Sequence, residues 1–145
     1  MLPPIWGLAL ADRTVIAIID DDEAVRDALA GLMKSLGYSA EAFESAEGFL
    51  GSSRYDNASC LITDVQMPGM SGLELHDRLV ASGKPIPTIL ITAYPNERAR
   101  TRALSNGVVC YLGKPFQEDE LLACIRSAIG DNAADNNETW MSGER

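Results

Sequence analysis

Acids, a hydroxyl and an ammonium recur at the ends of apolar runs in this sequence, and together they suggest one chemistry. Asp20 and Asp21 follow "VIAII" (15–19), Asp64 follows "SCLIT" (59–63), Thr92 closes "TILIT" (88–92), and Lys114 comes just after "VVCYL" (108–112). Two carboxylates ~4 Å apart repel by roughly 4 kcal/mol at an effective dielectric of about 20. Acids placed side by side at the edge of a core therefore call for a cation. Three carboxylates make a hard, oxygen-rich pocket suited to Mg2+, which takes few carboxylates, keeps several waters and accepts a phosphate oxygen. A threonine hydroxyl and a lysine ammonium are groups that hold phosphoryl oxygens and stabilise charge during their transfer. One carboxylate could then act as the nucleophile and form an acyl phosphate.

These residues can cooperate only if the chain brings the strand ends together. After Asp22 the apolar positions Val25, Ala28, Leu29, Leu32, Met33 and Leu36 follow helical spacing, with Asp22 as the natural N-cap and Gly37 as the stop. "YSAEAF" (38–43) reads as a strand, Ser45 caps a short helical turn, and "SCLIT" is a second fully apolar strand. Pro68, Gly69 and Gly72 make "DVQMPGMSG" (64–72) a loop, followed by a helix over 73–80. "TILIT", a helix over 96–105, "VVCYL" and a last helix over 117–129, with the stripe Leu121, Leu122, Ile125, Ala128 and Ile129, complete the pattern. Apolar strands alternating with helices predict an α/β fold with a five-stranded parallel sheet covered on both faces. In such sheets ligands bind outside the carboxyl ends of the strands, where the acids, Thr92 and Lys114 fall.

Composition bounds the rest. The 145 residues suffice for one domain with a substantial core, expected over 14–130 between an N-terminal extension (1–13) and a polar tail or linker (131–145). A net charge of −9 argues against direct nucleic-acid binding, which needs a Lys/Arg face. No run approaches the ~20 apolar residues of a membrane span. "IWGLALAD" lacks the basic start of a secretory peptide, so a cytoplasmic protein is expected. Cys60, Cys110 and Cys124 read as separate buried thiols in a reducing compartment, and no zinc site follows from them.

The motifs "IIDDDE", "LITDVQMPGMSGLEL", "ILITA" and "YLGKPF" occur in the order found in the receiver domain of two-component response regulators, and the chain resembles that family from Val15 to Ile129. "DDDEAVRDAL" resembles the branch containing the nitrogen-fixation and nodulation regulators. The resemblance implies a flavodoxin-like (βα)5 sandwich of strand order 2-1-3-4-5. It implies that Asp64 accepts a phosphoryl group from a histidine kinase or phosphotransfer protein, and that Asp20, Asp21, Asp64 and the backbone carbonyl of Gln66 hold Mg2+. Thr92 and Lys114 would bind the phosphoryl oxygens, Tyr111 would be the switch aromatic, and Lys114-Pro115 would be a cis peptide bond. The implied output is a reshaped surface of the helix over 96–105, the strand over 108–112 and the last helix, which docks a partner or a second copy. Such a domain is a signalling module and not an enzyme.

Each residue also has a plainer reading. Thr92 alone would be a β-branched strand residue, Lys114 a surface charge, Tyr111 a half-buried strand aromatic, and Arg98 and Arg102 solvated charges on one helical face. His76 is expected on the surface, and Trp6 and Trp140 fall in the extensions. Asp20-Asp21-Asp22 also satisfies the D-x-D of haloacid dehalogenase-type phosphohydrolases, but Ala24 stands where that family needs Thr or Val, and Asp64 would have no role. A degenerate receiver acting as a scaffold is the third alternative, although none of its expected losses has occurred. Ser71 replaces an acidic residue frequent in the family, outside the metal shell. The thin apolar face of "NERARTRALS" (Ala99, Ala103, Leu104) predicts low local stability.

Overall fold

The computed structural model describes residues 14–53 and 55–130. The readings of segments 1–13 and 131–145, Trp6 and Trp140 included, lie outside the described residues. In chain order the elements are β1 (Val15–Ile19), α1 (Glu23–Ser35), β2 (Ser39–Phe43), α2 (Ala46–Leu50), β3 (Ala58–Asp64), α3 (Gly72–Ala81), β4 (Thr88–Thr92), α4 (Glu97–Ser105), β5 (Cys110–Gly113) and α5 (Glu118–Ala128). All neighbouring strands pair in parallel, in the order β2-β1-β3-β4-β5, as expected.

The two-residue period of the strands divides the core into two layers. Ile16, Ile18, Cys60, Ile62, Ile89 and Ile91 point to one face, where Leu29 and Met33 of α1 and Leu121, Cys124 and Ile125 of α5 cover them. Ala17, Ile19 and Leu61 point the other way, onto Ala46 and Phe49 of α2 and Leu75 and Leu79 of α3. Leu90 continues that second layer against Ala103 of α4 and Val108. Strands buried on both sides need side chains apolar at every position, which is why their sequences read as unbroken runs rather than alternations.

Local signals close the helices as read. The Asp22 carboxylate accepts from the Ala24 and Val25 amides, and the Ser45 hydroxyl accepts from the Gly48 amide. Ser71 caps α3 reciprocally with Glu74: each backbone N–H donates to the other residue's side chain. Lys114-Pro115 is cis. Strand β5 begins two residues later than its apolar run: the Val108 amide donates to the Ala103 carbonyl and closes the turn after α4, and the Val109 amide is the first to reach β4, donating to the Thr88 carbonyl.

Two expectations are corrected. Cys110 and Cys124 are not separate thiols but a disulfide joining β5 to α5, with Cα atoms 6.1 Å apart; only Cys60 is a free, buried thiol. Spacing along the chain could not show that the inward stripe of α5 lies over the edge strand. His76 is not on the surface but 4% exposed, because the turn at Gly107 passes over its ring, and its Nδ1 lies 3.1 Å from Asp77 Oδ1. Among the described residues no helix is long and apolar enough to cross a membrane.

Candidate functional site

Strand register brings the predicted residues to one edge. Ile19 is level with Thr63 and Asp64 with Ile91, so Asp20 and Asp64 emerge side by side from β1 and β3. Thr92 is level with Gly113, and the Lys114 amide donates to the Thr92 carbonyl, which sets Lys114 one step above the hydroxyl residue. A carboxylate oxygen from each of Asp20, Asp21 and Asp64 falls within 4.8 Å of the others. Lys114 Nζ bridges two of them, 3.5 Å from Asp20 Oδ2 and 3.7 Å from Asp64 Oδ1.

The acids have unlike surroundings. Asp20 is 3% exposed and fully engaged: Oδ1 accepts from the Asp22 amide at 2.9 Å, while Arg26 Nη1 donates to the Asp20 carbonyl at 2.8 Å. Asp21 is exposed at the mouth of the cluster. Asp64 is 8% exposed, and its carboxyl is raised above the usual carboxylate range. Burial is the largest cause, the charges of Asp20 and Asp21 add to it, and Lys114 and the Val65 amide oppose it. Three acids facing one ammonium leave an excess of negative charge among hard oxygen donors. That donor set fits Mg2+.

Thr92 and Gln66 form a pair that sequence reading did not reveal. The Thr92 hydroxyl donates to Gln66 Oε1 at 2.8 Å and accepts from the Tyr94 amide at 3.0 Å. Gln66 was expected to contribute only its backbone carbonyl, yet its side chain accepts the hydrogen bond of the hydroxyl expected to reach a phosphoryl oxygen. Glu47 was not singled out either. Its carboxylate accepts from the Met70 amide at 2.9 Å and is held below its ordinary range chiefly by that bond, so α2 tethers the loop carrying Gln66. Gly69, at φ 81, lets the loop turn against Glu47.

The start of α3 is equally constrained. A side chain at Gly72 would collide with the Asp64 carbonyl and crowd Leu90 and Thr63, so the glycine is what allows the helix to begin against the end of β3. Tyr111 is half-buried beside Leu90, Ala103 and Val108, and its hydroxyl accepts from the Asn96 amide at 3.4 Å. Of α4 only Ala103 is buried, matching its thin apolar face, and Arg98 and Arg102 are exposed.

Comparison with known proteins agrees with this architecture. The family model described as the response regulator receiver domain matches residues 16–126. The chain is 43% identical over 121 residues to the response regulator protein TodT of Pseudomonas putida, which covers 83% of this chain and 53% of TodT. It is 39% identical over 114 residues to the transcriptional regulatory protein FixJ of Bradyrhizobium diazoefficiens, covering 79% of this chain and 56% of FixJ. The nodulation protein W of the same organism also matches, at 36% identity over 116 residues, in agreement with the branch that "DDDEAVRDAL" resembles. The chain thus spans about half the length of these curated relatives. Among solved structures, the crystal structure of FixJ-N superposes with a TM-score of 0.72 at 32% identity, covering 81% of this chain and 94% of that one. The response regulator StyR gives 0.75 at 36% identity, covering 88% of this chain and 65% of that one. The phosphohydrolase alternative falls away, and the chain belongs to the response regulator receiver domain family.

Proposed function

We propose that the chain is a phosphorylation-dependent switch whose acceptor is Asp64. The observation that carries this reading is the cluster of Asp20, Asp21 and Asp64 within 4.8 Å, with Lys114 bridging Asp20 and Asp64. An oxygen of the Asp64 carboxylate attacks the phosphorus of a phosphohistidine on a sensor kinase or phosphotransfer protein. The P–N bond breaks, the imidazole leaves with the electron pair, and an acyl phosphate remains on Asp64. Asp20, Asp21, Asp64 and the Gln66 carbonyl would hold Mg2+, which when bound neutralises charge on the carboxylates and the transferred oxygens. Lys114 places a fixed positive charge beside Asp64 and stabilises the oxygens as charge develops on them.

The output follows from the Thr92 pair. For its hydroxyl to reach a phosphoryl oxygen it must leave Gln66 Oε1, and the Tyr94 amide loses its partner. The loop from Tyr94 to Asn96 then readjusts, and Asn96 bonds the Tyr111 hydroxyl. Tyr111 thereby links the acceptor to the surface of α4, β5 and α5, which rearranges to dock a partner or a second copy. FixJ is a transcriptional regulatory protein by name. By analogy, the output here is control of transcription through a partner or attached output domain, in the cytoplasm, without direct nucleic-acid contact by this acidic domain.

Phosphate turnover tests the reading. With Mg2+, acetyl phosphate should yield no more than slow release following stoichiometric labelling, and a stable phosphomonoester should yield none. Sustained multiple turnover on either compound would contradict a switch.

A further inference from the structure

The Cys110–Cys124 bridge stands apart from the acceptor site yet encloses part of it. Cys110 opens β5, the edge strand of the sheet, and Cys124 lies in α5, 14 residues further on. The loop they close contains Tyr111, Lys114 and the cis bond to Pro115. One covalent link therefore ties together a strand and a helix of the surface proposed above to rearrange.

We propose that Cys110 and Cys124 form a reversible redox site whose oxidised form holds β5 and α5 in the unphosphorylated arrangement and opposes the response to phosphorylation. The coupling rests on the switch reading above, whereas the redox site itself does not. Both sulfurs lie in the layer built from Ile89, Ile91, Leu121 and Ile125, and two thiols occupy nearly the volume of the bridge, so the core survives reduction. Access is one-sided. Cys124 is buried, but Cys110 is only half-buried at the sheet edge, so an external thiolate attacks the Cys110 sulfur.

That attack displaces Cys124 as a thiolate, which takes a proton. A second thiol of the dithiol reductant then attacks the mixed disulfide on its own sulfur, and Cys110 leaves as a thiolate. The protein gains two electrons and two protons, and the reductant becomes a disulfide. Oxidation is the reverse exchange with a small-molecule disulfide. Cys60 takes no part: it is fully buried, and burial pushes its thiol up to about 12.

The test compares the full chain after treatment with oxidised glutathione or with dithiothreitol. Alkylation under denaturing conditions, read by intact mass, should modify one cysteine, Cys60, in the oxidised form and all three in the reduced form. The oxidised form should melt about 10 °C higher, as closure of a loop of this length implies. Each form is then phosphorylated with acetyl phosphate and Mg2+, and hydrogen exchange is followed across residues 94–116. The exchange change on phosphorylation should be severalfold smaller in the oxidised form, and Cys110→Ser/Cys124→Ser should respond like the reduced form under both treatments. Three alkylatable cysteines after oxidant treatment would overturn the redox site. Equal responses in wild-type oxidised and reduced protein, both phosphorylated, would overturn the coupling alone. Failure of both forms to take a phosphoryl group would sink the switch reading and the coupling with it, while the alkylation count still decides the bridge.

Discussion

Asp64, the proposed nucleophile, is a buried carboxyl crowded by the charges of Asp20 and Asp21. Its folded-state pKa lies above the unfolded one, so the unfolded chain gives up this proton at lower pH than the folded chain does. The sign follows: the domain loses stability as pH rises from the ordinary carboxylate range, ~3.9, through the raised value of Asp64. Asp64→Asn should therefore melt above the wild type at neutral pH without Mg2+, and the gap should narrow as pH is lowered and Asp64 is protonated. Thermal melts across pH check this; a gap that widens on acidification would contradict it. At Gln66 the expected effect is kinetic. Gln66→Ala frees the Thr92 hydroxyl from a bond worth about 1 kcal/mol and should speed labelling by acetyl phosphate roughly two- to fivefold, measured by rapid quench. The identities of Asp20, Asp21, Asp64, Thr92 and Lys114 were legible because each follows or ends an apolar run. The Gln66–Thr92 and Glu47–Met70 bonds were not, because their partners are 26 and 23 residues apart and are set by how the loop folds back.

At the level of elements, the site depends on strand ends being level and on α3 starting flush against β3. Gly72→Ala would push its methyl group into the Asp64 carbonyl, and backbone cannot yield as a flexible side chain can. A loss of about 2–4 kcal/mol is expected, with weaker labelling of Asp64, measured by denaturant unfolding alongside phosphorylation. A neutral substitution would mean that the helix can retreat without disturbing the acceptor. The central strands were readable as unbroken apolar runs because both their faces are buried, and the helices from a period of 3.6 because one face is. The late start of β5 was not, since Val108 and Val109 are apolar and the bond from Val108 to Ala103 belongs to the turn that ends α4, which an apolar run does not reveal. The burial of His76 and the pairing of Cys110 with Cys124 escaped for a similar reason: each depends on which helix face meets which neighbour.

Across the whole molecule, a stable scaffold carries a cluster of like charges on one edge. Two apolar layers around the sheet supply the stability that allows Asp20 and Asp64 to be buried beside each other. A cation that binds only the folded state raises stability by mass action, about 2.7 kcal/mol at a hundredfold excess over its Kd. Mg2+ should accordingly raise the melting temperature of the wild type by several degrees, and Asp21→Ala should abolish the rise, because it removes one of the three clustered carboxylates from an exposed position outside the core. The strand order 2-1-3-4-5 followed from resemblance rather than from periodicity, which cannot rank strands in a sheet.

The most direct measurement is intact-protein mass spectrometry after incubation with acetyl phosphate and Mg2+, with peptide mapping of the label, for the wild type and Asp64→Asn. One phosphoryl group per chain is expected, mapped to Asp64 and absent from the variant. Equal labelling of Asp64→Asn, or no label on the wild type with any small-molecule or phosphohistidine donor, would contradict it.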